Sequence, residues 1–187
     1  MARLLRDFDR QLSEHVELRL LRERDAEELY ALIADNRAYL AEWMPWPAAQ
    51  TLEGTQQFIR LTRRQRADDN GFQAAIVIDG AIAGVVGFHA VDWANRTTSI
   101  GYWLAEAFQG RGTMTEAVRA LVDHAFDAWK LERVEIRAAP GNARSRAIPE
   151  RLRFTEEGVL RAVERVGDRQ LDNVVYSMLA SEWRARD

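Results

Sequence analysis

A short turn with two glycines lies between a predicted strand and a predicted helix, and its residue types suit an anion. The turn reads Gln109-Gly110-Arg111-Gly112-Thr113-Met114-Thr115. Residues 98–104 before it alternate as a strand does, and apolar side chains after it recur at helical spacing as far as Trp129. Because the first turn of a helix has unpaired N–H groups and the positive end of the helix dipole, the pattern predicts a phosphate or pyrophosphate site, with Arg111 as an added contact. The alternative is a glycine turn that only caps the helix.

Two common phosphate loops do not fit this turn. The dinucleotide fingerprint G-x-G-x-x-G lacks its third glycine, because Thr115 is at that position, and no G-x-x-x-x-G-K-[ST] segment occurs in the chain. The turn resembles instead the acyl-CoA pyrophosphate loop of the GNAT N-acetyltransferases, [QR]-x-x-G-x-[GA]. Gln109 and Gly112 match that loop, and Met114 replaces its small last residue.

A second segment supports the same resemblance. Residues 142–154 resemble the second GNAT signature, N-x-x-[SA]-x-x-[VI]-x-E-[KR]-x-G-F, with Arg153 in place of the glycine. Pro149 replaces a tyrosine that is common in the superfamily, and Ser-x-x-[VI]-Pro-Glu-[KR] is a form known in the ribosomal-protein alanine/serine N-acetyltransferase (RimJ/RimL-like) branch. Residues 36–46 and 157–161 also resemble that branch. The resemblance covers residues 16–179.

The order of predicted elements leads to the same fold. It is a strand, helices, three strands, a helix, a strand, a helix and two strands, which gives an α/β fold with a mixed, largely antiparallel central sheet flanked by helices. The GNAT resemblance implies this sheet too. The patterns predict strands at 16–20 and 133–138, a helix after an Asp25–Glu28 capping box, a structured loop at 43–47, a helix at about 51–66, and hairpins at 72–88 and 155–179 around Asp79-Gly80 and Gly167-Asp168.

Length and composition predict one soluble domain over residues 1–187, with residues 1–12 as an N-terminal extension. The 187 residues are 47% hydrophobic and 29% charged, and no apolar run approaches the ~20 residues that span a bilayer. The N-terminus has no signal-peptide core, so we expect a cytoplasmic protein without membrane partners. Because there is no cysteine, disulfides, thiolate metal sites and an acyl-cysteine intermediate are excluded.

The net charge of −3 argues against direct nucleic-acid binding. The arginines at positions 60, 63, 64 and 66 are an exception, either as a solvated helix face or as a landing patch for an acidic partner. No grouping of His, Asp and Glu has convincing metal-ligand spacing, so no metal is expected.

The resemblance implies acetyl-CoA as the acyl donor and an amine as the acceptor, and two residues are candidates for the chemistry. Ser145 is predicted to hold or protonate the leaving thiolate, because the tyrosine that many relatives use as the acid is absent at position 149. The alternative for Ser145 is a hydrogen bond to backbone near a helix start. Glu164 is predicted as the general base, since the ribosomal branch carries a glutamate there. Its alternative is an exposed strand carboxylate paired with Arg165 or Arg161.

The remaining candidates would bind the two substrates. Trp43, Trp46 and His89 are predicted to line the acceptor cleft, with core packing or a structural histidine as the alternative. Trp103 and Leu104 would offer a strand edge to the pantetheine amides. The other predicted acetyl-CoA contacts are Gln109, Gly110, Arg111, Gly112, Thr113, Met114, Asn142 and Arg146, with Thr115 and Arg144 as further candidates.

Three functions remain open at this point. The first is an acetyl-CoA-dependent N-acetyltransferase that acts on a protein N-terminus, by direct attack in a ternary complex. The second has the same chemistry with a small amine as acceptor, such as a polyamine, an amino acid or an antibiotic. The third is a non-catalytic acyl-CoA-binding module. A homodimer is compatible with each of them.

Overall fold

The computed structural model describes residues 8–186, and an eight-stranded sheet organises them. The strand order is β1-β2-β3-β4-β5-β6-β8-β7, and β5 and β6 are the one parallel pair within this part of the chain. Such a pair needs a crossover connection, which the helix after the glycine turn provides. The mixed, largely antiparallel sheet is therefore confirmed. The strands are β1 (Arg10–Gln11), β2 (Val16–Leu20), β3 (Gln73–Ile78), β4 (Ala81–Asp92), β5 (Thr97–Leu104), β6 (Arg133–Ala138), β7 (Thr155–Val166) and β8 (Arg169–Leu179).

Helices cover both faces of the sheet, because the strands alternate two sets of apolar side chains. Ile100 and Leu104 of β5 face one core, which the helix after the glycine turn also enters, while Trp103 packs against the other core with Leu29 and Ile59. The helices are α1 (Ala26–Asp35), α2 (Arg37–Ala41), α3 (Leu52–Ala67), α4 (Thr113–Asp123), α5 (Ala143–Arg151) and α6 (Ala180–Arg184). A π-helical turn (His124–Ala128) continues α4. None of the helices in residues 8–186 is both long and apolar enough to cross a membrane.

The strands β5 and β6 separate halfway along their length. Thr97–Ile100 pair with Arg133–Ile136, but Gly101–Leu104 pair with β4 alone, and residues 137–138 pair with β8 alone. Among residues 8–186, the edge of β5 that faces β6 therefore has no strand partner from Gly101 onward. This divergence opens the middle of the sheet to a ligand.

The predicted capping box at Asp25 is wrong, although a helix does begin there. The Asp25 carboxylate accepts from Arg19 Nη1 at 2.6 Å and from the Arg22 N–H at 2.7 Å, and it makes no side-chain cap to α1. Glu28 Oε1 accepts instead from the Ile82 N–H at 2.6 Å. Asp25 is only 4% exposed, and a buried carboxylate is costly unless a cation pairs with it. The ion pair with Arg19 is therefore favoured over a hydrogen bond that caps α1.

The N-terminal extension is partly integrated into the sheet. Residues 1–7 lie outside the described residues, but Phe8 is buried in the core and Arg10–Gln11 pair with β2.

Candidate active site

A cavity of about 1320 Å³ opens where β5 and β6 separate. We divide it into two halves. The loop half consists of Tyr102, Leu104, residues 109–114, Asn142, Arg144 and Ser145. The aromatic half consists of Trp43, Met44, Trp46, Phe58, His89, Ser99, Trp103, Arg137, Val163, Glu164 and Asn173. Of the site residues predicted from the sequence, all except Thr115 and Arg146 line this cavity.

The glycine turn has the backbone geometry of an anion site. Gly110 and Gly112 have φ values of 77° and 80°, in the left-handed region that favours glycine. Gly112 caps α4 without a side-chain hydrogen bond, and the N–H groups of Thr113, Met114 and Thr115 have no acceptor within residues 8–186. The side chains of these three residues are buried, so they offer only backbone to a ligand. Three free N–H groups at the positive end of a helix fit a pyrophosphate.

Gln109 fastens the glycine turn to three other elements. Its Nε2 donates to the Tyr39 hydroxyl at 2.5 Å and to the Leu104 carbonyl at 3.1 Å, and its Oε1 accepts from Arg144 Nη1 at 2.8 Å. The amide of Gln109 is therefore occupied by protein groups, and so is the Leu104 carbonyl. In this structure, Gln109 positions the turn between α2, β5 and α5.

Within the loop half, Ser145 contacts Tyr102, a residue that no sequence motif indicated as part of the site. Asn142 Oδ1 caps α5 by accepting from the Ser145 N–H at 3.1 Å. The Ser145 Oγ donates to the Tyr102 hydroxyl at 3.4 Å, and that hydroxyl donates to the Ser145 carbonyl at 3.0 Å. Burial raises the pKa of Tyr102, so its hydroxyl remains protonated. The sequence signal for a role of Tyr102 in the site was its position in the strand directly before the glycine turn.

Arg146 points away from the cavity, and Arg144 takes the place expected for it. Arg146 Nε donates to the Tyr176 hydroxyl at 2.7 Å, and its Nη2 lies 3.4 Å from Glu150 and 3.5 Å from Glu156. On a short helix, neighbouring side chains point in different directions, so only one of two arginines two residues apart can face the cavity.

Tryptophans wall the aromatic half. The rings of Trp46 and Trp103 lie 6.1 Å apart between centroids, at a tilt of 56°. The ring of Trp43 reaches the segment before α5, where a Cβ at Gly141 would come within 3.2 Å of it. Arg37 donates to the carbonyls of Pro47, Ala48 and Gln50, and so fixes the loop that carries both tryptophans.

A polar cluster lies among these rings. Glu164 Oε2 accepts from Asn173 Nδ2 at 3.0 Å, and His89 Nδ1 lies 3.0 Å from Ser99 Oγ. Desolvation and the charge of Arg137 lower the pKa of His89, while Glu164 opposes this shift. The imidazole is therefore neutral at pH 7. Arg165, the alternative partner of Glu164, lies 3.9 Å from Asp168 instead.

No group of three or more His, Asp or Glu side chains in the described residues is arranged to hold a metal ion.

The comparisons with known proteins agree with this geometry. The family model for the acetyltransferase (GNAT) domain matches residues 15–155. A Bacillus subtilis (strain 168) protein named "Putative ribosomal N-acetyltransferase YdaF" is 41% identical over 178 residues, which are 94% of this chain and 97% of that protein. The ribosomal-protein-serine acetyltransferase of Escherichia coli (strain K12) is 30% identical over 171 residues, 90% of this chain and 94% of that protein. The structure of the microcin C7 self-immunity acetyltransferase MccE, in complex with acetyl-CoA and AMP, has a TM-score of 0.86 at 32% identity, covering 90% of this chain and 94% of that chain.

Proposed function

This chain belongs to the GNAT family of N-acetyltransferases and uses acetyl-CoA, and on that premise we propose that it acetylates the N-terminal amine of a ribosomal protein in the cytoplasm. The observation that carries the proposal is the placement of one carboxylate, Glu164, among the aromatic rings, with the neutral amide of Asn173 as its partner. A protein α-amine has a pKa of about 7.7–8.0, so a single carboxylate is enough to take its proton near neutral pH. The names of the two ribosomal relatives support the same acceptor class.

The charges of the cavity favour a singly charged acceptor over a polycation. The charged residues of the aromatic half are one arginine, Arg137, and one carboxylate, Glu164, so this half has no excess of negative charge to bind a polycation. A polyamine or an aminoglycoside would bring several positive charges into this field. A peptide with one free amine would bring one.

In the proposed reaction each half of the cavity has a separate task. The donor supplies an activated acyl thioester. The N–H groups of Thr113, Met114 and Thr115 hold its pyrophosphate, aided by Arg111. Asn142 and the backbone edge of β5 at Trp103, whose ring belongs to the aromatic half, line the path of its arm. Trp43, Trp46 and His89 shape the acceptor cleft.

The chemical step is a direct attack, because the chain has no cysteine to carry the acyl group. Glu164 accepts the proton of the amine, and the nitrogen bonds to the acyl carbon as the carbon–sulfur bond breaks. Ser145 exchanges its 3.4 Å hydrogen bond to Tyr102 for one to the leaving sulfur, to which it donates a proton or a hydrogen bond.

A small-molecule amine is the second candidate acceptor, and one observation favours it. The relative MccE, named for self-immunity to microcin C7, was solved with AMP as well as acetyl-CoA. The indole rings of the aromatic half can stack on a flat ring of that kind.

An acceptor screen by mass spectrometry separates these functions. Purified protein and acetyl-CoA are incubated with hexapeptides that begin with free serine or alanine and contain an internal lysine, and in parallel with spermidine and an aminoglycoside. We expect acetylation at the peptide N-terminus, and none in a matched peptide whose N-terminus is already blocked. Efficient acetylation of the small amines with refusal of every peptide would replace this proposal by the second candidate, and no turnover with any amine would indicate a binding module.

A further inference from the structure

The strand β7 is interrupted just before Glu164. Leu160 pairs with Asn173 and Glu164 pairs with Leu171, so the three residues 161–163 lie opposite the single residue Asp172. Regular antiparallel pairing places one residue there, and β7 therefore has two extra residues. This is a β-bulge larger than the common one-residue form.

The bulge decides where Glu164 lies along the hairpin. If the pairing continued without a bulge from Leu160 and Asn173, Glu164 would pair with Arg169, about 7 Å further along β8 at ~3.3 Å per residue. With the bulge, Glu164 pairs with Leu171, on the same face of β8 as Asn173. From there its Oε2 meets Asn173 Nδ2 at 3.0 Å.

Two side chains of β8 hold the bulge in place. Ala162, at its centre, has a φ of 50°, in the left-handed region that residues with a Cβ seldom adopt. Its N–H donates to Asp172 Oδ1 at 2.7 Å, and its carbonyl accepts from Gln170 Nε2 at 2.7 Å. These bonds replace the ladder bonds that the bulge removes. Because side chains alternate along a strand, Asp172 and Gln170 lie on the face opposite Asn173, and neither lines the cavity.

From this geometry we infer that Asp172 is a positioning residue for Glu164. Its carboxylate fixes the backbone of Ala162, the bulge sets the register of β7, and the register brings Glu164 to Asn173. The inference rests on the proposed role of Glu164 as the base, and it adds a residue that does not touch either substrate.

A double-mutant cycle tests the inference with a serine-initiated hexapeptide as acceptor. Asp172→Ala should lower kcat/KM at pH 7 by about 10²-fold, the scale of a 1 Å misplacement, and should leave acetyl-CoA affinity by calorimetry within two-fold. Asp172→Asn, which keeps an oxygen acceptor for the Ala162 N–H, should recover most of the rate. In the Glu164→Gln background, Asp172→Ala should cause no further loss. Asp168→Asn removes a carboxylate from the turn of the same hairpin and is the matched control.

The outcomes separate this inference from the proposal beneath it. If Glu164→Gln is slow and Asp172→Ala is as fast as wild type, the positioning role is refuted and the base remains. Losses that multiply in the double variant also refute it, because Asp172 would then act through something other than Glu164. A wild-type rate in Glu164→Gln refutes the base, and the inference with it.

A second pair of variants covers the case in which Asp172→Ala does not fold. Ala162→Val adds a β-branched side chain that disfavours the left-handed conformation, whereas Ala162→Gly tolerates it. We expect the valine variant to be slow, with a pH–rate profile displaced like that of Glu164→Gln, and the glycine variant to match wild type. Equal rates in the two variants would overturn the inference.

Discussion

The two halves of the cavity are built in different ways. The anion site of the loop half comes from one short stretch, residues 109–115, and it offers backbone N–H groups from the start of α4. The aromatic half takes side chains from the loop after α2, from α3 and from five strands, β4 to β8. Backbone N–H groups bind an anion whatever side chains surround them, whereas a cleft built from side chains changes with each substitution. The acceptor side can therefore vary without altering the anion site.

The comparison also identifies where the halves are joined. Gln109 bonds to Tyr39 of α2, to Leu104 at the end of β5 and to Arg144 of α5. The ring of Trp43 lies against Gly141, beside the cap of α5. Four variants test how independent the two halves are, and a fifth variant lies outside both.

The largest effect is expected at Gly112. In Gly112→Asp, a carboxylate would lie at the anion site and repel the pyrophosphate, so acetyl-CoA binding should be lost in a folded protein. A Cβ at this position meets no atom within 4 Å, and aspartate tolerates the left-handed conformation better than most residues. Calorimetry measures the affinity. Gly112→Asn has the same shape without the charge, and it should retain measurably more acetyl-CoA affinity than Gly112→Asp. Near-normal affinity in Gly112→Asp would refute the anion site.

Ser145→Ala should lower kcat by roughly 10²-fold or more, the scale of one lost acid–base group, and change acetyl-CoA affinity no more than several-fold. The variant loses the hydroxyl that contacts Tyr102 but keeps the backbone N–H that donates to Asn142, the N-cap of α5. Thiol release under saturating substrates gives kcat. Ser181→Ala, at an exposed position of α6, is the control. An unchanged kcat would make Ser145 a structural residue and leave water to protonate the thiolate.

Glu164→Gln should raise the pH at which activity appears. Without the base, only the amine that is already neutral can react, and that fraction grows as the pH nears the amine's own pKa of ~8. The loss should therefore be greatest below pH 7 and shrink toward pH 9. The pH dependence of kcat/KM for a serine-initiated peptide measures it. A parallel profile, lowered equally at every pH, would mean that Glu164 does not act as the base.

Trp43→Ala should raise the KM for the peptide by about 10-fold, since the acceptor cleft loses part of its aromatic wall. If the halves are independent, acetyl-CoA affinity stays as in wild type. A fall in that affinity would instead show that Trp43 supports the α5 segment through Gly141. Trp93→Ala is the matched control, because Trp93 is partly exposed and does not line the cavity.

The smallest effect is expected at His124, which belongs to neither half. Burial lowers its pKa from 6.5 to about 4. As the pH falls below 6.5, His124 takes up a proton in the unfolded chain before it does so in the folded protein. The contribution of neutral His124 to the free energy of unfolding is therefore complete above pH 6.5 and is lost as the pH falls toward 4. His124→Phe keeps an aromatic ring beside Phe72 and Trp129. Between pH 6.5 and pH 4, the Tm of this variant should fall by a few °C less than the Tm of the wild type. Exposed His15→Gln is the control, and parallel Tm curves for His124→Phe and wild type would contradict this prediction.

Local patterns predicted most of the elements. The Asp79-Gly80 hairpin was predictable because both residues adopt positive φ, 50° and 83°, as that two-residue turn requires. The start of α4 at Thr113 followed from the glycine turn. The predicted cap by Asp25 is wrong because its carboxylate pairs with Arg19 of β2, a tertiary contact that the local pattern does not contain.

The sequence by itself determined the glycine turn before α4, the order of the strands and helices, and the family. These properties depend on neighbours along the chain: a helix start, a turn, a period of two or of 3.6 residues. Only the tertiary structure decided that Arg144 and not Arg146 faces the cavity, that Tyr102 meets Ser145, and that the β7 bulge brings Glu164 to Asn173. Each of these depends on the register and direction of side chains from separate strands and helices, and that geometry is set by packing across the sheet.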